Sequence, residues 1–188
     1  MKAARAFWLH LQPWLDPNRL VFIDETGTQT KMARLRGRAP RGERLVAGVP
    51  HGHWKTITLI AALRADGIEA PMVIDQPMNG RIFQLWVEQV LCPTLRPGDI
   101  VVWDNLPAHK VAGARDAIEA VGARLLWLPP SSPDFNPIEQ LFAKLKAHLR
   151  KAAARTVEQL WKEIGRILSS VPPNECANYF RNAGYVSV

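Results

Sequence analysis

Two short apolar runs, each closing on an aspartate, constrain this chain more than any other feature. LVFIDE at residues 20–25 and DIVVWDN at residues 99–105 are rich in β-branched and aromatic residues and flanked by turn formers. Runs of this kind read as strands buried on both faces, which occur where helices cover a sheet. In such sheets functional side chains collect beyond the strand exits. Asp24 and Asp104 both stand there. A third acid, Glu139, follows in SPDFNPIE, and the 139 − 104 = 35 positions between them leave room for one crossover and one loop.

The rest of the pattern predicts an α/β domain around a mixed sheet. Phe7 and Leu11, four apart, predict a short helix over 3–12 that Pro13 ends. Residues 1–17 are expected to lead into a single domain over 18–188. Residues 28–44 hold six cations among Gly37, Pro40 and Gly42, with too little apolar periodicity for a packed element, and predict a basic loop. Strands are expected at 45–49 and 54–63 as an antiparallel pair, with a weaker one at 72–74. Asn79 is a plausible N-cap for a helix presenting Ile82, Phe83, Trp86 and Val90. The second aspartate run leads into a helix over 107–121 and a strand at 124–128, a parallel crossover. Two amphipathic helices follow, one with Ile138, Leu141, Phe142, Leu145 and Leu149, the other from Thr156 until Pro172 and Pro173 stop it.

Charge and cysteine usage narrow the function classes. Lys and Arg number 24 against 17 acids, a net charge of +7, so the summed field attracts a polyanion such as nucleic acid. Cys92 and Cys176 stand far apart and outside any Cys-x-x-Cys pattern, so neither a disulfide framework nor a structural zinc site is indicated. His10, Gln12 and Pro13 interrupt the start before a signal-peptide core forms, and no apolar run reaches membrane-spanning length. The expectation is a soluble protein of a reducing cytosol, with no membrane partner.

Sparse acids on rigid elements of a basic chain suit a site that holds divalent cations against a polyanion. Two ions roughly 3.5–4 Å apart serve the attacking and leaving oxygens of an in-line phosphoryl displacement. Carboxylates are natural ligands for Mg²⁺. Each residue also has a plainer reading. Asp24 and Asp104 can end strands as turn formers, and Asn136, Pro137 and Glu139 make a good capping box. Glu25 points to the opposite strand face from Asp24 and reads as support or surface. Asp75, Asp99 and Asp134 sit beside Pro or Gly and read as loop residues, Asp75 being the first substitute for a member of the trio. His109 can orient a bound water or touch phosphate, or be an ordinary helix-start histidine. His51 and His53 are not assigned a metal role, and the Trp residues are mostly assigned to the core. Arg34, Arg36, Arg38 and Arg41 of the basic loop, and Lys146 and Arg150 at seven and eleven positions past Glu139, suit phosphate contacts.

DETG around Asp24, RGRAPRGERL at 36–45, VVWDNLPAHK at 101–110, LPPSSPDFNPIEQLFAKLK at 128–146 and the ending CANYFRNAGY together resemble the DDE transposases of bacterial insertion sequences, in the mariner-related branch. The resemblance runs over nearly all of residues 18–185. It implies a ribonuclease-H-like fold with Asp24, Asp104 and Glu139 as the catalytic metal-binding triad, two Mg²⁺ or Mn²⁺ ions, and Asn105, His109 and Asn136 in support. Lys110 joins the implied DNA contacts. The implied activity is cleavage at inverted-repeat ends and joining of 3′ hydroxyls to target DNA at TA, by a homo-oligomer acting in the bacterial cytosol. A nuclease of the same fold without joining, or an inactive DNA-binding remnant, is the alternative. Family members carry helix-turn-helix modules ahead of this domain. With some twenty residues before Asp24, this sequence is expected to be a split-frame half with a separately encoded partner, a truncated copy or an excised domain.

Overall fold

A central strand with an apolar residue at nearly every early position can only be satisfied by cover on both faces, and Leu20–Gln29 (β1) has it. The computed structural model describes residues 2–104 and 112–186. Five strands form one sheet in the order β3-β2-β1-β4-β5. Thr56–Arg64 (β2) pairs antiparallel with β1 and with Gly67–Ile74 (β3), while Ile100–Trp103 (β4) lies parallel to β1 and to Arg124–Trp127 (β5).

Alternation along the strands divides the core in two. Leu20 and Phe22 of β1, Leu59 and Leu63 of β2 and Val102 of β4 face one side. There Ile138–Ala152 (α4), Val157–Ser169 (α5) and Pro173–Asn182 (α6) cover the sheet, together with Trp8 from Lys2–Leu11 (α1). Val21, Ile23, Ile60, Val101 and Trp103 face the other side, under Gly80–Trp86 (α2) and Ala112–Ala120 (α3). Asn79 caps α2 as expected, accepting from the Ile82 amide at 3.0 Å. Among the described residues no helix is long and apolar enough to cross a membrane.

Several expectations are corrected. Residues 45–49 form no strand; they are exposed, and β2 takes β1 as its antiparallel partner instead. Residues 45–49 are apolar but follow Arg41, Gly42 and Arg44 and are broken by Gly48 ahead of Pro50, whereas β1 offers β2 a long apolar ladder. The strand foreseen at 72–74 begins at Gly67, directly after a tight turn at Ala65 and Asp66. In α1 the buried residue is Trp8, while Phe7 is exposed. Trp8 donates to the Tyr185 hydroxyl, Gln12 to the Ala183 carbonyl and Arg5 to Asp134, so the opening helix is fastened to the last turn of the chain and to the 133–135 turn. Helix α6 was missed. Pro173 does stop α5, but it also starts α6 at a helical first position, and Cys176, Tyr179 and Phe180 then bury one face.

Candidate active site

Strand register sets two of the acids side by side. Leu20, Val21 and Phe22 stand opposite Ile100, Val101 and Val102, an offset of 80 (100 − 20), and continuing it brings Asp24 level with Asp104. Neighbouring strands are roughly 4.8 Å apart. Phe22 and Val102 face the α4 side of the sheet, so two residues further on Asp24 and Asp104 share that side. Helix α4 carries Glu139 in its first turn. Asp24, Asp104 and Glu139 line one cavity of about 370 Å³, with Asn136 and the turn of residues 128–133 as its other wall.

Both carboxylate oxygens of Asp24 are held. Its Oδ1 accepts from the Glu25 amide at 2.8 Å and its Oδ2 from the Asn136 side-chain amide at 2.9 Å. Burial pushes its pKa from 3.8 up to about 8, and the negative charge of Glu139 adds to this, with smaller pushes from Glu25 and Asp104. The Glu25 amide acts the other way. The carboxylate thus sits in a field that calls for positive charge. An all-oxygen set of this kind fits Mg²⁺ or Mn²⁺ by donor chemistry. Among the described residues no three His, Cys, Asp or Glu side chains are drawn together closely enough to hold an ion as they lie. Ligation asks the carboxylates to turn toward one another within the cavity they share.

Asn136 departs from its expected local role. No side chain caps α4, whose N-cap position is Pro137; Asn136 lies just outside in extended conformation and spends its amide on Asp24, 112 positions away. It is buried, and its Oδ1 has no hydrogen-bond partner among the described residues. Asn105, His109 and Lys110 lie outside the described residues.

The three plainer aspartates separate cleanly. Asp134 pairs with Arg5 at 2.7 Å. Asp75, the proposed substitute, lines a different cavity with Lys55 and Arg155. Asp99, read as a loop residue, is buried in an ion pair with Arg64 at 2.6 Å.

A larger cavity of about 850 Å³ opens beside the first, between the basic loop and α4. Arg34, Lys146 and Arg150 line it, together with Lys31. Arg36, Arg38 and Arg41 are exposed on the same loop but outside its wall. Trp54, which sequence reasoning left with the core tryptophans, is 51% exposed in this cavity, and the Lys31 ammonium lies 3.1 Å from its ring centroid. The available signal was its setting, HGHWK, which has no apolar periodicity and so no reason to bury an indole.

Comparison with known proteins bears on the fold and the family. No curated protein matches the chain in sequence. Among solved structures, the pre-cleavage Mos1 transpososome superposes with a TM-score of 0.77 at 15% identity, covering 97% of this chain and 57% of that one. The Mos1 mariner paired-end complex with Mg gives 0.75 at 18%, again over 97% and 57%. The catalytic domain of Mos1 mariner transposase gives 0.71 at 15%, over 97% of this chain and 85% of that one. The chain therefore spans 57% of the transposase chains in those two complexes. At these identities the likeness establishes the fold, a ribonuclease-H-like mixed sheet flanked by helices. Residues 19–161 match the family described as DDE superfamily endonuclease, and with that match running over most of its length, this chain belongs to the DDE superfamily endonucleases.

Proposed function

We propose that the chain is the catalytic domain of a transposase, which cuts DNA at the ends of a mobile element and joins the freed 3′ hydroxyls to target DNA. The observation that carries this reading is the meeting of three acids, remote along the sequence, in one cavity. The fold shared with the Mos1 catalytic domain supports it, as does the likeness to a structure described as the Mos1 strand transfer complex, at 17% identity.

Asp24, Asp104 and Glu139 are the catalytic residues and would hold two divalent ions. Bound Mg²⁺ or Mn²⁺ would supply charge at the attacking and leaving oxygens of the phosphoryl displacement. Asn136 holds the Asp24 carboxylate in place through its amide, and Asn105 and His109 support the same site. Arg34, Arg36, Arg38, Arg41, Lys110, Lys146 and Arg150 contact phosphates and position the strand without reading its sequence. The partners are transposon ends and a TA-containing target, engaged by a homo-oligomer. The place of action is the bacterial cytosol, on the DNA.

The test supplies precut element ends, a target plasmid and Mg²⁺ or Mn²⁺. Joined products support a transferase. Cleavage without joining points to a nuclease of the same fold, and Mn²⁺ binding indifferent to the three acids points to an inactive remnant. DNA affinity is expected to fall steeply with salt, by about 0.9 in log–log slope for each phosphate contact on a duplex. Changing Arg34, Lys146 and Arg150 together to Gln should flatten that slope by roughly 0.9 for each contact removed. An unchanged slope removes this surface from the interface.

A further inference from the structure

We infer that the cavity between the basic loop and α4 receives an unpaired nucleotide of the DNA strand, with Trp54 as the platform on which its base stacks. The inference rests on the reading of the chain as a DNA-cutting domain and names a substrate element for which that reading has no place.

Duplex phosphates ask only for exposed cations. This cavity offers more. Its charged lining residues are Lys31, Arg34, Lys146 and Arg150, with no Asp or Glu among them, and the remaining wall is largely apolar, including Met32, Leu35 and Val49. None of the four cations forms an ion pair among the described residues. At about 850 Å³ the space falls in the range of small-molecule pockets, roughly 300–1,000 Å³, which is room for a nucleotide. Lys31 covers one face of the indole, and about half of the Trp54 surface stays open. Cations that track a backbone beside an aromatic surface are the combination by which proteins hold single strands.

The platform is held in place rather than carried on a slack loop. Thr30 and Lys55 close the loop at its root: the Thr30 amide donates to the Lys55 carbonyl, and the Lys55 amide to Thr30 Oγ1, both at 3.1 Å. Lys31 and Trp54 are the next residue on each side, two positions past Gln29 and Thr56, the last pair of the β1/β2 ladder, where the Met32 amide donates to the Gln29 carbonyl and closes a turn. Arg155 donates to the Thr30 and Met32 carbonyls at 3.2 and 2.9 Å, tying that root to the α4–α5 connection.

Location fixes which nucleotide is held. The cavity shares both its rigid walls with the acid cluster, using Gly27–Gln29 past Asp24 on β1, and Lys146 past Glu139 on α4. Three strand residues and seven helix residues each span about 10 Å. That is about three rises of 3.4 Å along a strand. A strand presented to the carboxylates therefore enters the cavity about three nucleotides from the reacting phosphate and reaches Trp54, which stands opposite Lys31 and so roughly 24 Å past Asp24 along β1, about seven nucleotides from it, where its base must be out of the duplex to enter.

The experiment measures binding of labelled single-stranded oligothymidylate, and of a duplex of equal length, in chelator without divalent metal. Trp54→Ala should weaken single-strand affinity by about 5- to 100-fold, the range for losing one stacked base. Trp54→Phe should stay within about threefold of the parent, and duplex affinity should change little in either variant. Equal loss on both DNAs, no loss on either, or a Phe variant as weak as Ala overturns the inference. Thermal melts of both variants separate a binding effect from misfolding; if the Ala variant melts early, a Trp54→Leu variant that melts normally must show the same selective loss. The outcome is separable from the parent reading. Selective loss with no metal-dependent cleavage by the unmutated chain keeps the pocket and sinks the transposase, whereas active cleavage with unselective loss does the reverse.

Discussion

Asp24→Asn, Asp104→Asn and Glu139→Gln will each abolish metal-dependent cleavage and joining while leaving the fold intact. Each change removes a charged oxygen from a cavity where the reaction asks for several kcal/mol of transition-state charge stabilisation. At 1.4 kcal/mol per decade that is a loss of roughly 10³-fold or more. All three side chains line a cavity rather than the packed core, so no apolar contact is lost. Single-turnover assays on element-end DNA in Mg²⁺ and in Mn²⁺ check this. Near-normal turnover by any one variant takes that residue out of the site.

The same cluster makes metal-free stability depend on pH with an unusual sign. Asp24 ionises near 8 in the folded chain against 3.8 for the free side chain. Between those values the folded state holds a proton that the unfolded state has released, so stability falls as pH rises from about 4 to about 8 and levels off outside that window. The slope contributed by this group is at most about 1.4 kcal/mol per pH unit. Asp24→Asn should flatten it, which denaturant melts in chelator at pH 5 and 8 would detect. Divalent cations act with the opposite sign: they need the ionised carboxylate, so Mn²⁺ affinity should climb by up to about tenfold per pH unit until about pH 8. Metal affinity that is flat over this range contradicts the placement of Asp24 among the ligands.

What the sequence made legible was what strand periodicity encodes. A buried parallel strand must be apolar on both faces, so LVFI and IVVW announced themselves, and their exits located Asp24 and Asp104 without coordinates. Register was not legible, because the level alignment of residues 24 and 104 follows from the β1–β4 offset, which no local pattern specifies. Asn136 illustrates a different limit. Asn-Pro before an amphipathic helix is what a cap looks like, and the competing partner was a carboxylate 112 positions away. Trp54 failed for a third reason: a tryptophan is usually buried, and only the absence of apolar neighbours distinguished this one. Helix α6 was hidden by its own start signal, since a Pro-Pro pair both ends α5 and supplies the first residue of the next helix.

Asp99→Ala will cost about 3–5 kcal/mol of stability, the largest loss expected from any single surface-looking acid in this chain. Sequence reasoning set Asp99 in a loop beside Gly98, yet its side chain is 1% exposed and its partner Arg64 3%. One oxygen, Oδ2, accepts from the Arg64 guanidinium at 2.6 Å and from the Arg96 amide at 2.7 Å, while the same guanidinium nitrogen also donates to the Thr94 carbonyl at 3.1 Å. Removing the carboxylate strands a charged guanidinium in a place water does not reach, and that uncompensated charge, rather than the lost attraction, sets the size of the effect. Arg64→Met paired with Asp99→Leu should therefore recover most of the loss, because two apolar side chains leave no charge behind. Urea melts with an unchanged m-value report the difference as a shift of midpoint. The pair joins the end of β2 to the start of β4, at the opposite end of the strands from the acid cavity. Its rupture should lower stability while the double variant, refolded, still binds Mn²⁺ through its three acids. A double variant as unstable as the single would mean that the cost lies in packing around residue 99 and not in the stranded charge.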